Sequence, residues 1–347
     1  VVNIVFELMR PLLFESNTVT PAMPVIVFAE HSMYIGFHTN QISLRGTEIA
    51  LFDYADFNES ILGNRSVVFA PREPQRHDER ALDKFEKRFK IVWYDNIPDL
   101  YLQAQREKID VMYHLKSGFN DCILVPSCKN VVHAVFQYCE PHGDVYAYIS
   151  PWLSLYASGG KYPYVPHIVR LPPPTGDMRR ELNIPAEATV FGRHGGSDTF
   201  NIPYVRQIVM EMADIRPDLY FLFLNTDEFC PARKNILFLK GTSIAEEKQR
   251  FINTCDCMLH ARIAGETFGL AIAEFSISNK PILTWGGSEE RCHLDILKDK
   301  ALIYNSIEEL CQKIWSFDRT QNKAWDAYSE KFNPQVVMAQ FKKVFLD

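Results

Sequence analysis

Ala264–Glu274 reads AGETFGLAIAE and sets two glutamates, Glu266 and Glu274, eight positions apart across a Gly269-Leu270 step. An apolar, strand-like run, Cys257-Met258-Leu259-His260, precedes it, and Phe275 to Ile277 continue a helical pattern after it. Strand, short polar loop and helix in that order make half of a βαβ unit, with the loop at the carboxyl edge of the sheet, where ligands bind. Glu266 is expected in the loop and Glu274 about two turns into the helix, which separates their backbones by roughly 12 Å at ~1.5 Å rise per residue. Between them the free amides of Gly269 and Leu270 form a helix N-terminus that attracts anions. Acid, anion site and second acid suit a sugar, a diphosphate and a ribose hydroxyl pair on one elongated ligand.

Outward from this stretch the chain alternates strands and helices. Strand-like runs are expected at Val25–Phe28, Val67–Phe69, Ile91–Tyr94, Asp110–Tyr113, Val131–Phe136 and Val145–Ile149, with helices at Gly46–Glu59 and Glu79–Lys90. Pro163, Pro166 and Pro172-Pro173-Pro174 can continue neither element and read as a linker. A second series follows at Thr189–Phe191, Tyr220–Leu224, Ile236–Leu239, Met258–Leu259, Pro281–Thr284 and Leu302–Tyr304. Two βα series joined by a proline hinge predict an α/β fold of two Rossmann-like domains facing a cleft. Asn333-Pro334 reads as an N-cap followed by proline at the first helical position.

The 347 residues suffice for two domains, and 47% hydrophobic with 23% charged residues is a globular balance with a sizeable core. A formal charge of −6 argues against a nucleic-acid partner, which calls for a basic stripe. No apolar stretch is long enough to span a bilayer, which leaves room only for peripheral membrane contact. The opening VVNIVFELMRPLLF is interrupted by Glu7 and Arg10 and makes a poor signal peptide. The eight cysteines form no CxxC pair, and Cys255 and Cys257 read as free, buried thiols. A reducing, cytoplasmic compartment is expected, with the sequons at Asn58 and Asn64 as chance matches.

Phe251–Gly287, FINTCDCMLHARIAGETFGLAIAEFSISNKPILTWGG, resembles the signature region of retaining glycosyltransferases of family 4 in residue type, order and spacing. The resemblance implies the GT-B architecture, divided at 1–170 (acceptor side), 171–330 (nucleotide-sugar side) and 331–347, a helix returning to the first domain. It also implies hexose transfer from a nucleotide sugar with retention at the anomeric carbon. Glu266 would bind the sugar hydroxyls and Glu274 the ribose, with Thr267, Phe268, Gly269 and Leu270 between them. Phe191–Gly196, FGRHGG, resembles the family's Val-Gly-Arg loop, so that Arg193 maps onto the arginine holding the diphosphate, beside Gly195. A guanidinium suits that task through its fixed fork of donors and permanent charge.

Departures from the family pattern are specific. Its lysine some six residues after the arginine is missing, because Ser197-Asp198-Thr199-Phe200 contains no base; either Arg262 replaces that cation or the donor is held more loosely. Leu44–Ala50, LRGTEIA, resembles the Gly-Gly-x-Glu loop with Arg45 in place of the first glycine; Gly46 would let backbone approach the ligand, and Thr47 or Glu48 would cap the helix. The family's cleft histidine aligns with Phe136. His142, in a loop before a strand, is the preferred substitute contact, followed by His114 and His133, the latter with a buried structural role as the competing reading. No HExxH, paired Cys/His set or Asp-x-Asp marks a metal site, and no cofactor beyond the nucleotide sugar is expected. The acceptor, a glycan, a lipid-linked sugar or a protein, stays open. Two rivals stand beside the transferase reading: a GT-B nucleotide-sugar epimerase, and a degenerate transferase kept as a binding module.

Overall fold

The computed structural model describes residues 32–347 apart from residues 232 and 322, so the strand expected at Val25–Phe28 lies outside the described residues. The first half contains β1 (Tyr34–His38), α1 (Gly46–Ser60), β2 (Arg65–Pro71), α2 (Glu79–Glu86), β3 (Lys90–Tyr94), α3 (Ile97–Arg106), β4 (Val111–Lys116), β5 (Lys129–Ala134), β6 (Val145–Tyr148) and α4 (Pro151–Ser158). The second contains β7 (Thr189–His194), α5 (Pro203–Ile215), β8 (Leu219–Leu224), β9 (Ile236–Leu239), α6 (Ala245–Thr254), β10 (Cys257–His260), β11 (Gly265–Glu266) and α7 (Leu270–Ile277). It continues with β12 (Ile282–Trp285), β13 (Glu290–Arg291), α8 (Cys292–Leu297), β14 (Ala301–Tyr304), α9 (Ile307–Trp315), α10 (Ser329–Phe332) and α11 (Pro334–Phe341).

Each half forms a six-stranded parallel sheet, ordered β3-β2-β1-β4-β5-β6 and β14-β12-β10-β7-β8-β9. Counted within its own half, each order is that of a doubly wound nucleotide-binding sheet, with the chain reversing direction between β1 and β4 and between β7 and β10. Burial on both faces explains why the strands read as unbroken apolar runs, as in β8, whose Leu-Tyr-Phe-Leu-Phe-Leu is buried at every position.

Several expected boundaries move for local reasons. The helix expected over Glu79–Lys90 ends at Glu86, because Lys90 already pairs with Val67 in the sheet. The strand expected to reach Phe136 ends at Ala134. Glu274 lies one turn into α7 rather than two, since Gly269, at φ +89°, delays the helix until Leu270. Asn333 caps α11 as expected, accepting from the Val336 amide, with Pro334 in first position. This helix and Lys342–Leu346 after it return to the first half, where Phe341 stacks on Tyr54 and Phe345 meets His133.

The halves share apolar packing. One core cluster runs from Val132 and Tyr148 through Phe268 to Val190 and Phe251. Cys255 and Cys257 are free and buried. Among the described residues no helix is long and apolar enough to cross a membrane.

The switch point of the first sheet is closed by its own side chains. His38 Nε2 meets Tyr94 Oη at 2.9 Å, His38 Nδ1 meets His114 Nδ1 at 3.2 Å, and His114 Nε2 meets Asn130 Oδ1 at 3.1 Å. The amide oxygen can only accept, so His114 donates from Nε2, His38 donates from Nδ1, and Tyr94 donates its hydroxyl proton. Burial keeps both rings neutral, and this chain then locks each in one tautomer.

Burial lowers the pKa of His38 to about 4 and those of His133, His167 and His293 to about 3. Each folded pKa lies below the unfolded value, so the unfolded chain takes up protons that the native state refuses as pH falls below about 6.5. Stability present above that pH is lost on acidification, on the order of 1–2 kcal/mol per histidine by pH 5. Thermal melts should therefore show a falling midpoint from pH 7 to pH 5; a flat profile would mean that these rings are not buried neutral.

Candidate functional site

The carboxyl edge of the second sheet faces the first half across a cavity of about 250 Å³. It opens at the β7/β10 switch point, where an open α/β sheet offers its ligand crevice. Every donor-side residue expected from the sequence lines it: Arg193, Gly195, Arg262, Glu266, Thr267, Phe268, Gly269, Leu270, Glu274 and, from the opposite wall, Gly46.

Arg193 is the penultimate residue of β7 and is almost wholly buried. Its Nη1 donates to Thr226 Oγ1 at 2.5 Å, and its Nη2 to Gly196 O at 2.8 Å and to the Thr199 hydroxyl. Thr199 is the residue six positions on, where a lysine was missing; it is part of a clamp that fixes the guanidinium plane. Burial lowers the Arg193 pKa to about 10, which leaves it charged at neutral pH. Gly195, at φ +149°, could not be replaced freely, because a Cβ there would lie 3.0 Å from Arg193 Nη2.

The two carboxylates are each gripped by cations. Glu266 sits in the short strand β11, with Oε1 3.2 Å from His260 Nε2 and Oε2 accepting from Arg262 Nη1 at 2.9 Å. Burial alone would raise its pKa, but Arg262 and His260 outweigh that and hold it at about 2. Glu274 Oε1 pairs with Lys248, and His194 Nε2 lies 3.1 Å from Oε2, aligned too poorly for a hydrogen bond. Burial again pulls upward, and the Lys248 ammonium outweighs it and brings Glu274 down to about 2. Glu274, which the family resemblance assigns to a ribose, is thus already engaged by Lys248.

Lys248 was not singled out by the sequence. It lies in the first turn and a half of α6, within AEEKQRF, a stretch that reads as a solvated helix face. Only the packing of α6 against α7 turns it inward, leaving its side chain 16% exposed on the cavity wall.

On the opposite wall Gly46 begins α1 with open space around its Cα, so a side chain there would project into the cavity region. The cap expected from Thr47 or Glu48 does not form. Arg45 occupies the N-cap position without a side-chain bond, and Glu48 instead accepts from Ser43 Oγ and Thr47 Oγ1.

The histidines named from the sequence stand apart from the cavity. His114 belongs to the buried chain above; His133 is bonded to Tyr113 Oη at 2.7 Å and Val165 O at 2.8 Å; His142 is bonded to Glu140 O at 2.7 Å. His167, His194 and His260 line the cavity instead. Among the described residues no group of three or more His, Cys, Asp or Glu is placed to hold a metal ion.

No protein-family profile matches the sequence, and no curated protein does. Solved structures do match in fold. Anabaena HepE, solved in complex with UDP-glucose, superposes with a TM-score of 0.69 at 13% identity, covering 90% of this chain and 98% of that one. The pneumococcal O-GlcNAc transferase GtfA, in complex with UDP and GlcNAc, gives 0.64 at 11% identity over 91% of this chain and 100% of that one. WaaG, a glycosyltransferase involved in lipopolysaccharide biosynthesis, gives 0.61 at 11% over 90% and 96%. The architecture is that of the GT-B glycosyltransferases: two Rossmann-like domains facing a cleft, with the last helix crossing back to the first.

Removing one partner of a buried ion pair leaves the other uncompensated, which costs about 3 kcal/mol or more. Lys248→Ala should therefore lower the urea midpoint at pH 7 by a corresponding amount; an unchanged midpoint would place Glu274 in contact with water.

Proposed function

We propose that the chain is a retaining glycosyltransferase that moves a hexose from a nucleoside-diphosphate sugar to an acceptor without a metal ion. The observation that carries this reading is the convergence of one permanently charged arginine, one uncapped helix N-terminus and two ionised glutamates on a single interdomain cavity. The matched folds include proteins bound to UDP-glucose and to UDP with GlcNAc, which supports a nucleotide-sugar donor here by analogy of fold. Retention rests on the family resemblance of Phe251–Gly287.

In this reading the donor lies across the β7/β10 crevice. Arg193 and the free amides at the start of α7 face the diphosphate, where charge builds as the glycosidic bond breaks. Both are fixed before the reaction, the guanidinium by Thr199, Thr226 and Gly196, so little reorganisation is needed as the charge develops. Arg262 and Lys248 flank that centre, one on the Glu266 side and one on the Glu274 side. Each can swing from its carboxylate toward a phosphate oxygen, freeing Glu266 for sugar hydroxyls and Glu274 for a ribose.

Arg193→Ala should lower turnover by roughly 10²–10³-fold, the usual cost of one preorganised donor at developing charge. Wild-type turnover should persist in EDTA, measured as nucleotide release from a panel of nucleotide sugars with and without candidate acceptors. Turnover abolished by EDTA and restored by manganese would overturn the metal-free assignment. Binding of donor without release under any pairing would favour the degenerate-transferase alternative.

A further inference from the structure

Beyond the donor cavity, the carboxyl edge of the first sheet presents three large aromatic rings to solvent: Phe119 (52% exposed), Phe136 (43%) and Tyr138 (54%). Phe136 itself lines the cavity, so the patch continues from the donor side outward. The rings of Phe119 and Tyr138 meet edge to face at 6.4 Å.

The loops that carry them are tied together. Tyr146 Oη lies 3.0 Å from Gly118 O and 3.1 Å from Tyr138 O, and Tyr148 Oη lies 3.2 Å from the same Tyr138 O. The Asn120 amide donates to Glu140 Oε2 at 3.0 Å. Gly118, at φ +102°, allows the approach, since a Cβ there would stand 2.8 Å from both Tyr138 O and Tyr146 Oη. Exposed rings on a braced scaffold suit a ligand that arrives from solution, because their orientation is set before binding.

Behind the rings is unspent hydrogen-bonding capacity. Gln137 Nε2 donates across the domain boundary to Glu290 Oε1 at 3.2 Å. Glu290 Oε2 is buried without a hydrogen-bond partner, 3.9 Å from Arg262 Nη2, and its side chain is only 10% exposed. Ser288 Oγ beside it is likewise unpartnered. Buried polar atoms normally find partners, so unsatisfied ones next to a cleft point to a ligand.

Charge narrows the choice of ligand. Residues 117–128 and 135–144, which hold the rings, contain no Lys or Arg. Of their carboxylates, Glu140 lies beside the rings through its bond from the Asn120 amide, Asp121 is paired with Lys116, and Asp144, bonded to the Asn130 amide, sits at the amino edge of the sheet. A surface of rings beside Glu140, with no Lys or Arg in its own loops, offers phosphates and anionic lipid headgroups no cation to bind. It fits a neutral ring with axial C–H bonds to lie on an aromatic face and hydroxyls to donate to carboxylates.

We propose that Phe119, Phe136 and Tyr138, with Gln137 and Glu290 behind them, form the acceptor subsite, and that its occupant is the neutral pyranose ring of a glycan or glycoside. The assignment rests on the glycosyl-transfer reading above, and it names the chemical class of the acceptor.

Saturation-transfer NMR, with irradiation of the protein's aromatic protons, tests it using methyl glucopyranosides, methyl galactopyranosides and maltose as probes. The wild type should transfer magnetisation to at least one of them. The Phe119→Ala/Tyr138→Ala pair should weaken that binding by about tenfold, equivalent to ~1.4 kcal/mol, while Phe119→Tyr keeps it. UDP, GDP and ADP titrated into the same samples report separately on the donor site, and the affinity of whichever binds should be the same in wild type and double variant. Absence of binding by every nucleotide would count against the transferase reading itself. No contact with any pyranoside, or equal contact in the double variant, overturns the acceptor assignment. Sedimentation with phosphatidylglycerol vesicles that the double variant loses would also overturn it, in favour of a lipid surface.

Discussion

Two largely buried carboxylates remain ionised on the cleft wall, and the site depends on what makes that tolerable. An isolated buried carboxylate would take up a proton rather than bear the cost of desolvation. Glu266 escapes this through Arg262 and His260, and Glu274 through Lys248. These pairings hold β11, the start of α7 and the first turns of α6 in one arrangement. They also store cations at the point where an anionic ligand would arrive. A surface pair would do neither, because water would screen it.

The sheets place these groups through a shared topology with unequal outcomes. Both reverse direction between their first and fourth strands, and both thereby open a crevice. In the first sheet the crevice is closed by the Tyr94–His38–His114–Asn130 chain, in which every donor has an acceptor. In the second it is lined by glycine-rich backbone at Gly195-Gly196 and by the helix start at Gly269, which leaves room and unspent amides. The difference lies in side-chain volume and satisfied hydrogen bonds, not in the backbone path.

Much of this was legible in the sequence, for physical reasons. A parallel sheet needs continuous apolar strands, so the second half announced itself in runs such as Tyr220–Leu224, and a helix after a glycine-bearing loop advertised AGETFGLAIAE. Arg193 was readable because a strand, glycines and a lone base coincide in FGRHGG. Lys248 was not, because its inward turn depends on how α6 packs, and nothing in AEEKQRF separates it from solvated neighbours. The histidines misled for the same reason in reverse. His114 and His133 sit at strand positions that sequence cannot distinguish from cleft positions, and only the pairing with Asn130, Tyr113 and Val165 shows that their nitrogens are spent. Glu290 gave no signal at all, since its significance comes from Gln137 reaching it across the domain boundary.

Amide hydrogen exchange, followed with and without nucleoside diphosphates and their sugars, tests the central claim most directly. If the β7/β10 crevice is the donor site, ligand should slow exchange at Arg193–Gly196 and at Gly269–Ala271 together, while the buried histidine chain of the first sheet stays unchanged. Protection confined to other segments, or none with any nucleotide at millimolar concentration, would contradict it.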